Sequence, residues 1–229
     1  MSTMNPFTLH PVIDADGWLE QAPTLPASPI DPVSGAYRCP SPNFDQRETA
    51  TDDIHVVVLH NISLPPYQFH TGVVPRFFAG TFDFENEADA RMRTLKDLRV
   101  SSHFLITRRG AIVQFVSCRD RAWHAGVSTF MGRSRVNDFS IGIELEGSDF
   151  VPFEPLQYER LTALLAAIDA RYALKYIVGH SDIAPGRKSD PGPYFDWVLL
   201  KARSALFGAP EFAGEAARRQ MNAAVSVRA

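Results

Sequence analysis

The chain has 229 residues, of which 45% are hydrophobic and 21% are charged, and its formal net charge is -3. This length and composition are typical of one globular domain that buries a core of its own. The near balance of charge gives no basic field that would favour nucleic acid or an anionic membrane surface as a partner. No apolar run approaches the roughly 18 residues that a membrane-spanning helix needs. We therefore expect neither kind of partner.

Two further observations concern the cellular compartment. The first residues lack both the basic region and the continuous apolar region of a secretory signal. The two cysteines, Cys39 and Cys118, do not make a disulfide framework, and neither lies in a CxxC pair that would favour a thiolate zinc site. The sequence therefore predicts a cytoplasmic protein with two reduced thiols.

The chain begins with a proline-rich segment. Prolines recur through residues 1–53 too often for long helices or central strands. We predict that this segment is an arm packed on the domain, with one short strand near Trp18. A strand is then predicted at 54–60, ending at His60, and its unbroken apolar run indicates that both of its faces are covered.

The middle of the chain predicts a helix, a hairpin and a second buried strand. Residues 61–80 form a long connection, and connections of that length inside a compact domain are often functional. Apolar residues at helical spacing predict a helix at 84–98. Two strand-like runs, 102–107 and 111–116, flank a glycine-containing turn and predict a β-hairpin. Another strand is predicted at 139–145.

The last part of the chain predicts a long helix and a strand with a polar loop behind it. An apolar stripe predicts the helix at 155–172. A short apolar strand begins at Tyr176 and ends at His180. The loop that follows is rich in proline and glycine and carries Lys188 and Asp190.

A closing helix is predicted at 196–207, so the main domain is predicted at 54–207. Residues 208–229 are rich in alanine and arginine and are expected to be a partly disordered tail. Strands and helices alternate, with one hairpin between them. This order predicts an α/β fold: a single domain with a central mixed β-sheet flanked by helices.

Polar side chains at strand ends suggest a metal site. His60 and His180 fall at the ends of two buried strands, and Asp190 lies in the loop after the second. Imidazole nitrogen and carboxylate oxygen are zinc ligands, and a catalytic zinc has three protein ligands and an open position for water. Two histidines and one aspartate meet that count, so the hypothesis is one Zn²⁺ per chain.

Two more residues would complete a hydrolytic site. Strand alternation puts Ile141 and Ile143 on one face and Glu144 on the other. A carboxylate there can take a proton from water and pass it to a leaving amine. Lys188 would hydrogen-bond the tetrahedral oxyanion, and one such donor is typically worth about 3 kcal/mol.

Spacing alone leaves other interpretations open. The two histidines could also be strand-end residues that hydrogen-bond to the backbone. Asp190 could be a turn residue before a proline, and Lys188 could be a surface charge. A thiol nucleophile at Cys118 is another open alternative. The remaining histidines are further candidate ligands: His10, His55, His70, His103 and His124. The position of His103 is more typical of a core histidine, and that of His124 is typical of a cleft.

Several segments together resemble one known family. They are VVVLHNISLPP, LRVSSHFLITRRG, RAWHAGVS, NDFSIGIELEG and VGHSDIAPGRKSDPGPYFDW, with CPSPNFDQR nearer the start. In this order they resemble the AmpD-type branch of the zinc-dependent N-acetylmuramoyl-L-alanine amidases, the amidase-2 or peptidoglycan-recognition-protein family. The resemblance implies a mixed sheet flanked by helices, and hydrolysis of the amide between the muramic acid lactyl group and L-alanine. The AmpD branch acts in the cytoplasm on 1,6-anhydro-N-acetylmuramyl peptides recovered during cell-wall turnover.

The resemblance also implies roles for individual residues. His60, His180 and Asp190 match the zinc ligands, Glu144 matches the catalytic carboxylate and Lys188 the transition-state stabiliser. The positions in segments that line the family's substrate groove are Asn61, Arg99, Trp123 and Arg187. The two arginines would suit the carboxylates of a peptide through bidentate bonds. The implied partner is an anhydro-muramyl peptide, and we predict a monomer.

Two alternative functions share this fold. One is an exported cell-wall amidase that acts on polymeric peptidoglycan, against which the missing signal peptide speaks. The other is a non-catalytic peptidoglycan-binding module, which would be expected to lack part of the ligand set.

Overall fold

A seven-stranded mixed sheet organises the chain in the computed structural model, which describes residues 9–25, 31–48, 53–204 and 210–213. In chain order the strands of these residues are β1 (Ala36–Arg38), β2 (Phe44–Gln46), β3 (Val56–Ile62), β4 (Phe104–Ile106), β5 (Ile112–Gln114), β6 (Asp120–Ala122), β7 (Thr129–Phe130), β8 (Arg133–Ser134), β9 (Ser140–Glu146), β10 (Tyr176–Gly179) and β11 (Glu211–Phe212). The helices are α1 (Val73–Phe78), α2 (Ala90–Arg93), α3 (Pro155–Tyr172), α4 (His180–Ile183) and α5 (Trp197–Arg203), and a 3-10 helix spans Val136–Phe139.

The strand order of the main sheet is β1-β5-β4-β9-β3-β10-β11. Only the hairpin pair β4 and β5 is antiparallel, and the other neighbours run parallel. The predicted mixed sheet and hairpin are therefore confirmed. Two smaller antiparallel ladders, β2 with β6 and β7 with β8, lie outside it.

The register of the central strands brings the predicted site residues to one edge. In the parallel pair of β3 and β10, Leu59 lies opposite Gly179. The next residues, His60 inside β3 and His180 just after β10, therefore lie side by side, although β3 continues to Ile62 beyond its predicted end at His60. On the other flank of β3, His60 lies opposite Glu144 of β9.

One face of the sheet is covered by α3. Ile141 and Ile143 of β9 pack in one cluster with Leu161, Leu164 and Ile168 of the helix, and all five are fully buried. The helix starts with a capping box. The side chain of Glu154 accepts the backbone N–H of Gln157, and the side chain of Gln157 accepts the backbone N–H of Glu154. The predicted stripe and the predicted bounds of this helix are both confirmed.

The opposite face is covered in a way that the sequence did not predict. The long connection 61–80 contains α1, whose apolar side chains pack under β4 and β5 with Met92. The helix predicted at 84–98 is wrong in extent, because α2 has only four residues. Asp83 and Asp89 each accept a hydrogen bond from the backbone N–H two residues further on, at 3.0 and 2.9 Å. The bond of Asp83 belongs to a turn that competes with a helix, whereas Asp89 is the N-cap at which α2 begins.

Both predicted end segments contribute a strand to the main sheet where they are described. The arm supplies β1 to it and β2 to the smaller ladder with β6, while near Trp18 the predicted strand is reduced to one bridge between Ile13 and Leu19. In the predicted tail, β11 pairs with β10 and buries Phe212. The sheet thus continues past the boundary predicted at 207. The closing helix ends at Arg203, and residues 205–209 and 214–229 lie outside the described residues.

None of the helices in the described ranges is long and apolar enough to cross a bilayer.

Candidate metal centre and active site

Three donor atoms from distant parts of the chain meet at the carboxyl ends of β3 and β10. His60 Nδ1 lies 3.0 Å from His180 Nδ1, and each of these nitrogens lies 3.0 Å from Oδ2 of Asp190. Both histidines are buried. The structure therefore brings the three predicted ligands together as one possible metal-binding group.

Local backbone geometry holds the second histidine and the aspartate in place. His180 opens the short helix α4 immediately after Gly179. A Cβ atom on Gly179 would lie 2.8 Å from Cδ of Pro191, so the glycine lets the loop after Lys188 fold back onto the strand end. The backbone carbonyl of Asp190 accepts the N–H of Ser181 at 3.0 Å. These contacts fix the aspartate over the two imidazoles.

The charges of the group favour a cation. Burial lowers the pKa of His60 to about 4, so its imidazole is neutral at pH 7. Burial by itself would raise the pKa of Asp190, but the closeness of His180 and His60 holds it below its ordinary value. Three electron-rich atoms 3.0 Å apart repel one another unless a proton or a cation lies among them. Neutral imidazoles and an ionised carboxylate are the ligand forms that zinc requires, so the donor set fits this metal.

Glu144 lies beside the group on the same edge of the sheet. Its side chain projects from β9 away from the α3 face, as the strand alternation predicts. Burial and the nearby charge of Asp190 raise the pKa of Glu144 well above its ordinary value, while the Lys188 ammonium opposes this shift. Its Oε2 atom is buried and has no hydrogen-bond partner among the described residues. An unpaired buried carboxylate is costly as structure, so it is a candidate for a functional group.

A groove of about 480 Å³ opens over these residues. Glu144, the three donor residues and the exposed Lys188 line it. One wall is apolar, and at the mouth the exposed rings of Tyr67 and Phe150 meet edge to face with centroids 5.5 Å apart. The groove therefore combines a polar floor with an apolar rim.

Three of the four predicted substrate-binding residues line this groove. Asn61 donates through Nδ2 to Asp149 Oδ1 at 2.8 Å and to the Pro191 carbonyl at 3.1 Å, so it ties the end of β3 to the aspartate loop. Trp123 presents a buried Nε1–H for which the described residues offer no acceptor. Arg187 donates through Nη2 to the Ala125 and Val127 carbonyls at 2.9 and 2.6 Å.

The fourth residue, Arg99, does not reach the groove. Its side chain is exposed and donates through Nη1 to the carbonyl of Lys96 at 2.9 Å. The chain turns at 94–97 instead of continuing a helix. The neighbours of Arg99, Leu98 and Val100, do line the groove, so its role toward a substrate stays a prediction.

Comparison with known proteins gives a family. Residues 50–193 match the family model described as N-acetylmuramoyl-L-alanine amidase. The chain belongs to this amidase family. It is 49% identical over 172 residues to the 1,6-anhydro-N-acetylmuramyl-L-alanine amidase AmpD of Escherichia coli K12, a match that covers 73% of this chain and 91% of that protein. The AmpD protein of Haemophilus influenzae is 50% identical over 160 residues, which cover 69% of this chain and 85% of its own. A crystal structure of an AmpD derivative superimposes with a TM-score of 0.70 and 43% identity, over 84% of this chain and 99% of that one.

Three other polar side chains are buried in or near this site. Burial raises the pKa of the Cys118 thiol to about 12, so it is not a thiolate nucleophile at neutral pH. His103 is a core histidine as predicted, since its Nδ1 accepts the Gly142 N–H at 3.0 Å. His124, which the sequence placed in a cleft, does line the groove, but it stands behind His60 instead of joining the three donor atoms.

Proposed function

We propose that this amidase hydrolyses the amide bond between 1,6-anhydro-N-acetylmuramic acid and L-alanine of muropeptides in peptidoglycan recycling, with one zinc ion per chain. The observation that carries the proposal is the meeting of His60, His180 and Asp190 within 3.0 Å of one another, beside Glu144 and at the floor of one groove. The anhydro-muropeptide substrate is supported by the identity of about half the residues to proteins named for that activity.

His60, His180 and Asp190 would hold the zinc ion. A zinc ion with an open position lowers the pKa of a bound water to about 7 and polarises a carbonyl group as a Lewis acid. The protein contributes the neutral state of the His60 imidazole, which burial maintains at pH 7. It also contributes the carboxylate of Asp190, whose pKa lies below its ordinary value beside the two histidines.

Glu144 would move the proton. Its carboxylate takes a proton from the attacking water and delivers it to the nitrogen of the L-alanine leaving group. The raised pKa of Glu144 suits both steps, since a base that is too weak does not accept the proton and an acid that is too weak does not return it. Its position opposite His60 in the ladder puts it next to the donor group.

Lys188 and the groove would orient the substrate. The exposed ammonium of Lys188 can donate to the oxygen that becomes negative in the tetrahedral state. The unpaired Nε1–H of Trp123 offers a hydrogen bond to a polar group of the substrate. Arg187 is held by two backbone carbonyls with its guanidinium at the groove, where it suits a carboxylate of the stem peptide.

The deciding experiment offers two substrates to the zinc-loaded chain. Purified protein is incubated with anhydro-muramyl tripeptide and, separately, with intact sacculi, and the products are read by mass spectrometry. We expect the release of free tripeptide from the first substrate and little product from the second. Efficient cleavage of sacculi would favour action on polymeric peptidoglycan, and binding without cleavage of either would favour a binding module.

The cytoplasmic location and the monomeric state belong to the same proposal. Cell fractionation followed by immunoblotting tests the first, and light scattering of the purified chain tests the second. Recovery of the protein in an exported fraction would count against a role in recycling.

A further inference from the structure

The outward-facing nitrogens of both metal-site histidines are held by one short segment, 123–126. His180 Nε2 lies 3.0 Å from the carbonyl oxygen of Ala125. A carbonyl can only accept, so the proton of His180 sits on Nε2 and its Nδ1 carries a free lone pair. His60 Nε2 instead lies 3.1 Å from Nδ1 of His124. An imidazole can donate or accept, so this contact alone does not set the direction of the bond.

A serine behind His124 sets that direction. His124 Nε2 lies 3.3 Å from Oγ of Ser140, and this Oγ donates its single proton to the Val136 carbonyl at 2.6 Å. The hydroxyl therefore offers only lone pairs to His124, whose proton must lie on Nε2. His124 Nδ1 is then an acceptor, and His60 must donate from Nε2. The consequence is that His60 turns an unprotonated Nδ1 toward Asp190.

The ring of His124 is fitted into this place by the strand beneath it. A Cβ atom on Gly142 of β9 would lie 2.5 Å from Cγ of His124, so only glycine leaves room for the ring. The segment is anchored from behind by Asn137, whose Oδ1 accepts the N–H groups of His124 and Ala125 at 3.2 and 2.8 Å. The imidazole is thus a built part of the site.

We propose that His124 is a positioning residue, which holds His60 in the Nε2–H tautomer and in the orientation that presents Nδ1 to the metal. This inference rests on the metal site of the proposed function, but it concerns a residue that is not itself a ligand. Partners that hydrogen-bond the second nitrogen of a metal-binding histidine fix its tautomer, and their loss typically weakens metal affinity about 10- to 100-fold.

The first test measures zinc dissociation constants of the full chain by competition with a chromophoric chelator. His124→Leu should bind zinc about 10- to 100-fold more weakly than wild type. His124→Asn should recover most of the loss, because its Oδ1 can accept from His60 in place of Nδ1. His55→Leu is the control, since it removes a histidine at the opposite end of β3 whose ring packs on Phe139 and Tyr176. Wild-type affinity in His124→Leu, or an equal loss in His55→Leu, would overturn the proposal.

The second test needs neither metal nor turnover. Nitrogen-15 spectra of the imidazoles in the zinc-free chain at pH 7 report which nitrogen carries the proton. We expect His60 to be protonated on Nε2 in the wild type and to show a mixture of tautomers in Ser140→Ala, which keeps His124 but removes the group that sets its direction. Protonation of wild-type His60 on Nδ1, or no change in Ser140→Ala, would contradict the proposal. A wild-type chain that binds no zinc would refute the proposed function. The tautomer of His60 would still show whether His124 fixes the position of its proton.

Discussion

Replacement of Glu144 by glutamine should remove activity and at the same time stabilise the zinc-free protein. The carboxyl group is buried, one of its oxygens lacks a partner among the described residues, and its pKa is well above the ordinary value. Glutamine has nearly the same shape but no charge. As general base and acid, Glu144 should be worth about 10²- to 10⁴-fold in kcat, while the zinc content of Glu144→Gln should stay at the wild-type level.

The effect on stability has a definite sign and a maximum slope. Between the ordinary pKa and the raised pKa, the unfolded chain has lost the proton of Glu144 and the folded chain still holds it. The free energy of unfolding of the wild type therefore falls as the pH rises through this window, by up to about 1.4 kcal/mol per pH unit. Glu144→Gln has no such proton, so its advantage over the wild type should be absent near pH 4 and grow toward pH 8.

Urea unfolding followed by circular dichroism measures this difference at several pH values, with a chelator present because a bound cation would itself change the pKa of Glu144. Glu146→Gln is the matched control on the same face of β9. Both oxygens of Glu146 accept backbone N–H groups, from His70 at 2.6 Å and Arg108 at 2.9 Å, so an amide there leaves a donor facing a donor and should cost about 1–3 kcal/mol. A Glu144→Gln protein that is no more stable than wild type at pH 8, or that keeps near-normal kcat, would refute the reasoning.

Three further predictions concern the metal and the groove. Asp190→Ala removes one of three ligands and should abolish both zinc binding and turnover, and wild-type zinc content by plasma mass spectrometry would contradict its role. Lys188→Met should keep zinc but lower kcat about 10²- to 10³-fold. Because the ammonium of Lys188 lowers the pKa of Glu144, the acid limb of the pH–rate profile should also move to higher pH in this variant. An unmoved limb would show that Lys188 does not act on the pKa of Glu144. Arg99→Ala should leave KM for anhydro-muropeptide unchanged while Arg187→Ala raises it, since only the second arginine lines the groove, and steady-state kinetics with the reverse order would restore the predicted role of Arg99.

The convergence of the three ligands shows what the sequence could and could not reveal. The apolar runs before His60 and His180 predicted that both lie at the ends of buried strands, and alternation in β9 predicted the face of Glu144. Their spacing gave no sign that β3 and β10 are parallel neighbours in register, which is what brings the two imidazoles together. The family resemblance supplied that step, because separated segments in a fixed order carry the fold with them.

The errors have local physical causes. Helical periodicity at 84–98 did not show that the side chain of Asp83 binds the backbone of a turn and that the helix begins only after the N-cap Asp89. The sequence marked His124 only as a cleft residue, since its part depends on the space above Gly142 and on the direction of one hydroxyl proton. The two-residue strand at Glu211–Phe212, which pairs in parallel with β10, is too short for any periodic signal.

Zinc-edge X-ray absorption of the zinc-loaded chain is the most direct test of the central claim that His60, His180 and Asp190 bind one catalytic metal ion. We expect one zinc per chain with only nitrogen and oxygen neighbours at about 2.0–2.2 Å, including the multiple-scattering pattern of two imidazoles. A sulfur neighbour at about 2.3 Å, as a cysteine ligand would give, or a spectrum unchanged in Asp190→Ala, would contradict it.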